Sequence, residues 1–273
     1  MTMDYFHLPM ERLGEGARIP LKVLGDSGEV FYEMALMMVR AIEENNRQGK
    51  PTVFICPVGP VGQYPIFVRL VEERRVSLKN CHFINMDEYL TEDGRYMDKS
   101  SPLSFRGHME RQVYSRISPE LVMPEENRIF PDPEDPQAVQ RRIDALGGVD
   151  IAFGGIGING HLAFNEPQEE LTPEAFAALP TRVLEISRET RTANAIGDLG
   201  GALLAMPSRC VTIGMKEILS ARRVVLGVFR DWHRAVVRQA AYGQVSASFP
   251  ATLLQRHPQA MILVNANAAR QPF

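Results

Sequence analysis

Two rhythms of apolar and polar positions alternate along this chain. Short apolar runs stand at 52–56, 81–86, 149–153, 223–228 and 260–264, each bounded by turn residues or charges. Runs of that length read as strands buried on both faces. Positions 182–186 alternate, and 210–213 form another short apolar run, so both read as strands. Between these runs the period changes to that of a helix. Val30, Met34, Met37, Met38 and Ala41 recur at helical spacing behind Asp26-Ser27-Gly28-Glu29, a capping-box pattern, and Gly49 closes the segment. This methionine stripe reads as core. Further helices are predicted over 66–73, 106–116, 137–146, 215–220 and 232–242. Strands alternating with helices imply a parallel sheet covered on both faces. The predicted fold class is therefore α/β, a doubly wound, Rossmann-like parallel sheet with helices on both faces.

No repeat, low-complexity segment or linker-like shift in composition divides the chain, so a single domain over 1–273 is expected. Segment 119–136 is rich in proline and reads as loop. Segment 167–180 mixes acidic residues, alanines and Pro173. It suits a core poorly, and a mobile lid is expected over 167–182.

Composition narrows the class. The chain has 273 residues, 45% hydrophobic and 23% charged, with a formal net charge of -3. These values suit a soluble globular protein and give no basic footprint for nucleic acid. No apolar run approaches the ~20 residues that span a membrane. Residues 1–9 include Asp4 and lack the basic and apolar regions of a signal peptide. Cys56, Cys81 and Cys210 are odd in number and widely spaced, which fits neither a metal site nor a disulfide framework. A reducing cytoplasm follows.

The candidate chemistry concentrates after the run at 149–153. There the chain reads Gly154-Gly155-Ile156-Gly157-Ile158-Asn159-Gly160-His161-Leu162-Ala163-Phe164-Asn165-Glu166-Pro167. Gly155, Gly157 and Gly160 let backbone approach a ligand closely. His161 and Glu166 place an imidazole and a carboxylate just past a strand end, where open α/β sheets bind ligands. Asp87 stands directly after another buried run, beside Glu88 and Tyr89. By itself it also reads as an acid capping a turn. His7, His82 and His108 read as structural. Arg106, His108 and Arg111 read as surface or interface charges, and Trp232 as a packing residue.

These segments carry a family resemblance. The stretch 154–167 resembles the G-I-G-x-D-G-H-x-A-F-N-E-P motif of the glucosamine-6-phosphate deaminase (isomerase) family. Asn85-Met86-Asp87-Glu88-Tyr89 resembles that family's N-M-D-E-Y, Thr190-Arg191-Thr192-Ala193-Asn194 its D-T-R-x-A-N with Glu189 for the leading Asp, and 250–258 its P-A-S-x-L-Q-x-H-P. The likeness covers roughly 53–264. It implies Asp87 as the base moving a proton between C2 and C1 of an open-chain sugar, with Glu88 beside it raising its pKa by like-charge repulsion and bordering the substrate. It implies His161 as the group handling the ring oxygen, with Glu166 supporting it. Arg191 matches a phosphate-binding arginine, while His233, with Arg234 alongside, aligns with the family's phosphate lysine. No metal or organic cofactor is implied. The partner is a small-molecule sugar, phosphorylated in the family, and a homo-oligomer is expected.

Two departures from the motif bear on activity. Asn159 stands where the family has Asp in the histidine relay. Asn can position an imidazole but carries no charge, and a comparable swap in a serine-protease triad costs about 10⁴ in kcat through the wrong tautomer. The family's hydroxyl-bearing phosphate loop is replaced at 57–62 by Pro57-Val58-Gly59-Pro60-Val61-Gly62. Gly59 and Gly62 keep a turn able to offer backbone N–H groups to an anion. The leading expectation is a deaminase/isomerase, counted with the hydrolases. The alternatives are a sugar-lactone hydrolase of the 6-phosphogluconolactonase type and a catalytically weak sugar-phosphate-binding regulator.

Overall fold

The computed structural model describes residues 4–273. The first three residues of the stretch 1–9 therefore lie outside the described residues.

Seven strands form one all-parallel sheet: β1 (Leu21–Leu24), β2 (Thr52–Cys56), β3 (Cys81–Asn85), β5 (Arg128–Ile129), β6 (Ile151–Gly154), β9 (Arg223–Val228) and β10 (Ala260–Asn265). Their order is β1-β10-β9-β6-β2-β3-β5. The apolar runs are continuous because alternate side chains enter two different layers. Val53 and Ile55 join one core cluster, Phe54 and Cys56 the other. Ala152 divides from Ile151 and Phe153 in the same way.

Helices α1 (Ser27–Arg47) and α2 (Gln63–Arg74) cover one face. Met34 and Met38 of α1 are buried there, and burying each side chain contributes about 1.5–3 kcal/mol. Asp26 caps α1 by accepting from the Glu29 N–H at 2.9 Å. The opposite face carries α4 (Ala138–Ala145), α7 (Met215–Leu219) and α8 (His233–Tyr242). The remaining helices are α3 (Phe105–Gln112), α5 (Pro173–Ala177), α6 (Arg188–Asp198) and α9 (Ala266–Ala269).

Chain direction across the sheet reverses between β2 and β6. From β2 the chain runs outward through β3 to β5, then returns beside β2 as β6 and continues outward through β9 and β10. Such a reversal opens a crevice at the strand carboxyl ends, the place where α/β sheets bind ligands.

The strands expected at 182–186 and 210–213 do form, but not in the parallel sheet. β7 (Arg182–Glu185) and β8 (Arg209–Thr212) join β4 (Asp87–Leu90) in a separate antiparallel sheet, ordered β4-β8-β7. This small sheet extends the β3 strand end past Met86 and carries Asp87 at its first position. Segment 167–182 is also better packed than its composition suggests. Phe176 of α5 is fully buried in the main core, and the Lys216 N–H donates to Leu179 O at 3.1 Å. The reading of this segment as poor core material is thus corrected at Phe176.

Candidate active site

A cleft of about 570 Å³ opens at the carboxyl ends of β9, β6, β2 and β3. Its walls come from the loops that follow these strands: 57–62, Asp87 of β4, the glycine loop 155–161, and the turn at Phe229 and Arg230.

Asp87 is 7% exposed and lines this cleft. Its carboxylate accepts no hydrogen bond from any described residue. Burial, and then the charge of Glu88, push its pKa well above the usual carboxylate range. A buried carboxyl without donors is the environment that makes a carboxylate basic enough for proton abstraction.

Glu88 is turned away from the cleft, which corrects the expectation that it borders the substrate. Its oxygens accept from the backbone N–H groups of Tyr89, Phe105 and Arg106 at 3.0, 2.9 and 2.8 Å, and from Ser104 Oγ at 3.1 Å. Arg106 Nε lies 3.5 Å away. Glu88 thus closes the N-terminus of α3, where a negative charge is favoured. Arg106 is correspondingly an internal partner, stacked 4.0 Å over the Tyr96 ring, and His108 lines the cleft. Neither is the surface charge expected.

The imidazole sits in a hydrogen-bonded series. His161 Nδ1 is 2.7 Å from Asn159 Oδ1, and Asn159 Nδ2 donates to Glu166 Oε2 at 2.7 Å. Glu166 Oε2 is 3.9 Å from His161 Nδ1, so the asparagine lies between them. An ionised Glu166 only accepts, which forces the Asn159 amide nitrogen towards it and Oδ1 towards the histidine. Nδ1 of His161 must then carry the proton. Asn159 therefore imposes the same tautomer as a carboxylate would, with the Nε2 lone pair left for the cleft. Burial lowers the His161 pKa, opposed by Glu166, so the ring is held neutral. Thr190 Oγ1 stands 3.2 Å from Nδ1.

The glycines are required by contact. A Cβ on Gly157 would stand 1.9 Å from His161 Cε1, so the ring lies directly against that backbone. Gly160 has φ +84°, and a Cβ there would strike the Phe249 ring at 2.6 Å. Gly155 faces Pro60 and Gly59 across the cleft, 3.2 Å and 3.3 Å from where its Cβ would lie. At Gly62 a Cβ would meet Phe31 at 2.3 Å. Gly59, Gly62, Gly155 and Gly157 all line the cleft.

Of the three cations or near-cations expected for the anion, Arg191 and Arg234 lie outside the cleft wall and His233 is uncharged. Arg191 Nη2 donates to Met206 O at 3.0 Å, and its side chain is not part of the cleft wall. Arg234 is bonded to Asn267 O and Oδ1 at 3.1 and 2.7 Å. His233 does line the cleft, but Nδ1 accepts from the N–H groups of Phe229 and Arg230 at 3.0 and 2.8 Å. Its Nε2–H donates to Ile156 O at 3.0 Å. Burial, opposed by the bond to Ile156 O and helped by the charge of Arg230, lowers its pKa to about 3, so it is a neutral strut.

Several wall residues were not singled out from sequence. Asn194 lies within a quoted motif, and its Nδ2 donates to Tyr89 Oη at 3.0 Å. Arg230 follows the end of β9 by two residues, so the strand-end rule applied to every strand would have found it. Thr190 gave no separate signal. Among the described residues, no group of three or more His, Cys, Asp or Glu side chains is placed to hold a metal, and no helix is long and apolar enough to cross a membrane.

Known proteins of like sequence point to one family. The chain is 31% identical over 210 residues to a glucosamine-6-phosphate deaminase of Lysinibacillus sphaericus, covering 75% of this chain and 81% of that protein. It is 32% identical over 212 residues to the glucosamine-6-phosphate deaminase of Beutenbergia cavernae, covering 77% of each. A solved monomeric glucosamine-6-phosphate deaminase superposes with a TM-score of 0.77 at 26% identity, over 91% of this chain and 98% of that one. A 6-phosphogluconolactonase from Trypanosoma brucei shares the fold, with a TM-score of 0.65 at 17% identity over 91% and 97% of the two chains. No family model matches the chain. With four motifs in order, the cleft at the reversal of the sheet, and this degree of identity over most of its length, the chain belongs to the glucosamine-6-phosphate deaminase family.

Proposed function

We propose that this chain is an enzyme that deaminates an amino-sugar phosphate, with glucosamine 6-phosphate as the reference substrate. The observation that carries the reading is the pairing, in one cleft, of an unpartnered basic carboxylate, Asp87, with an imidazole whose Nδ1 proton is fixed by Asn159 and Glu166. His161 Nε2 takes the proton of the C1 hydroxyl and returns it to the ring oxygen, which opens the ring. Asp87 then removes the C2 proton and delivers it to C1. The C2 amine gives up a proton, O1 takes one to become the C1 hydroxyl, and the resulting ketimine adds water and releases ammonia as the ketose forms. The net reaction consumes one water, which is the sense in which the chemistry is hydrolytic. Proton transfers and water suffice for every step.

A lactone hydrolase would use His161 to activate water and would have no use for a base at C2. The raised pKa and cleft position of Asp87 favour the deaminase reading over it. A cytoplasmic setting accords with Cys56, Cys81 and Cys210, all buried and unpaired. The homo-oligomer expected from sequence stands against a solved relative described as monomeric, and sedimentation of the purified chain decides between them.

The test is proton exchange in deuterated water with glucosamine 6-phosphate. Asp87 should carry solvent deuterium into C1 of the product to the extent that its carboxyl proton exchanges with solvent before delivery. Asp87→Asn should lower the rate by about 10²–10⁴, because a carboxamide cannot take the proton. Undiminished incorporation in the variant would remove Asp87 from the chemistry.

A further inference from the structure

Thr190 is fully buried in the first turn of α6. A buried hydroxyl is costly unless it is bonded, so its partners matter. Ser187 caps α6, its Oγ accepting from the Thr190 N–H at 3.2 Å. In a capping box the side chain at the Thr190 position would turn back to the N-cap N–H. Here Glu166, just past the glycine loop, takes that N–H on Oε1 at 3.3 Å instead. The Thr190 side chain is thereby free to face His161, and its Oγ1 stands 3.2 Å from Nδ1. The Ser187 hydroxyl donates to the same Oγ1 at 3.1 Å.

These contacts close a ring. The Ser187 N–H reaches Glu166, Glu166 holds Asn159 Nδ2, Asn159 Oδ1 meets His161 Nδ1, and Nδ1 lies against Thr190, which is bonded back to Ser187. The proton on Nδ1 therefore has two acceptors in reach, Asn159 Oδ1 at 2.7 Å and Thr190 Oγ1 at 3.2 Å. When Nε2 takes the C1 hydroxyl proton, the ring becomes a cation and both bonds strengthen. An interaction stronger in that step than in the resting site lowers the barrier. A hydroxyl, unlike a carboxylate, can also donate, so it can hold the wrong tautomer once Nδ1 is bared. Among the described residues, the charge acting on the ring is that of Glu166, 3.9 Å from Nδ1, while the packed neighbours Gly157 and Phe164 carry none. The charge on Glu166 thus sets the direction of the Thr190 bond. Asn194, one turn further along the same face of α6, bonds Tyr89 Oη, so this helix spans from His161 to the strand that begins with Asp87.

We infer that Thr190 is a positioning residue for His161: its hydroxyl, held by Ser187 at the N-cap of α6, accepts from Nδ1–H while Glu166 is ionised and donates to Nδ1 once that charge is removed. The turnover readout rests on the proposed deaminase reading, whereas the ring can be followed without turnover. Wild type, Thr190→Val, Thr190→Ser, Glu166→Gln and the double variant Thr190→Val with Glu166→Gln are compared in two ways. One is ammonia release from glucosamine 6-phosphate. The other is the ¹⁵N shifts of the His161 ring, which give its tautomer and its pKa. Melting curves establish that each variant folds, and Thr190→Ala supplies the same comparison where valine disturbs the turn.

Thr190→Val should lower kcat about 2- to 10-fold, the effect of one hydrogen bond, with little change in KM. The His161 pKa should fall, since the lost acceptor favoured the protonated ring, and the acid limb of kcat should move to lower pH with it. Thr190→Ser should recover both. In the Glu166→Gln background the sign should reverse. There valine removes the donor that held the wrong tautomer, so the share of ring protonated on Nδ1 and kcat should both rise. A loss of the same factor in both backgrounds marks a packing role and overturns the inference. So does Thr190→Val with kcat and His161 pKa unchanged. A wild type that releases no ammonia sinks the deaminase reading, and the tautomer shares and the pKa then decide this inference by themselves.

Discussion

Replacing Glu166 by Gln should disable the histidine without touching it. Two donors converge on the Glu166 carboxylate: Asn159 Nδ2 at 2.7 Å on Oε2, and the Ser187 N–H at 3.3 Å on Oε1. A glutamine offers one oxygen, so one donor must face an NH₂ group. If the Asn159 amide turns to relieve this, its nitrogen meets His161 Nδ1. The imidazole proton then moves to Nε2, and Thr190 Oγ1, 3.2 Å from Nδ1, is positioned to donate to the bared nitrogen. Nε2 can no longer take the C1 hydroxyl proton. The hydrogen bond lost to a charged acceptor is worth about 1.5–3 kcal/mol, which corresponds to a fall in kcat of roughly 10- to 100-fold. A complete tautomer switch sets an upper bound near 10⁴. Two measurements check this independently: ammonia release under saturating glucosamine 6-phosphate, and the ¹⁵N shifts of the His161 ring, which report the tautomer without turnover. A variant whose kcat stays within two-fold of wild type, with Nδ1 still protonated, would refute the argument that Glu166 acts through the Asn159 amide.

Three further outcomes follow from named contacts. Asn159→Asp puts two carboxyl groups at the present 2.7 Å separation from Glu166; like charges that close share a proton, so turnover near neutral pH should change only a few-fold and the melting temperature should fall at higher pH, whereas a large gain in kcat would contradict the shared proton. Asp87 has a folded pKa raised above its unfolded value, so its contribution to stability is intact below the unfolded pKa and is lost as pH rises through the folded pKa; Asp87→Asn should therefore melt higher than wild type at neutral pH and equally at pH 3, and the reverse order would dismiss the buried-carboxyl account. Arg238 is fully buried and donates to Leu8 O, Ala269 O and Arg270 O, each at 2.8 Å; Arg238→Met should lower stability by roughly 3 kcal/mol, since it strands buried carbonyls, and urea unfolding within 1 kcal/mol of wild type would show the clamp to be dispensable.

The elements legible in the sequence are those whose side chains answer to burial alone. The runs at 52–56 and 149–153 read as strands because both faces of each are covered. β1 went unread, since its two middle residues, Lys22 and Val23, are exposed at the sheet edge and Lys22 interrupts its short pattern. β4 went unread for the opposite reason. Asp-Glu-Tyr-Leu looks like a solvated turn, yet all four residues are buried, because Glu88 finds its donors at the start of α3, some sixteen to eighteen positions later. Local pattern carries no information about such distant partners. In the site, the motifs located the backbone of Asp87, His161, Glu166 and Arg191 at or near the cleft. A motif does not say which way a long side chain turns: Arg191 reaches to Met206, whereas Arg230, outside every motif, is the arginine in the wall. Asn159 reads as a weakened relay because an asparagine carries no charge, and the sequence does not show which of its two amide atoms faces the histidine. The amide has two sides, and Glu166 on the second one determines what the first can do.

Stoichiometry in a single reaction tests the central claim most directly. Purified chain is incubated with glucosamine 6-phosphate, and ammonia and ketose phosphate are measured together over time. Equal amounts of the two, both abolished in His161→Ala, are the predicted result. Absence of ammonia from a protein that binds the sugar phosphate, or hydrolysis of a sugar lactone in its place, would contradict it.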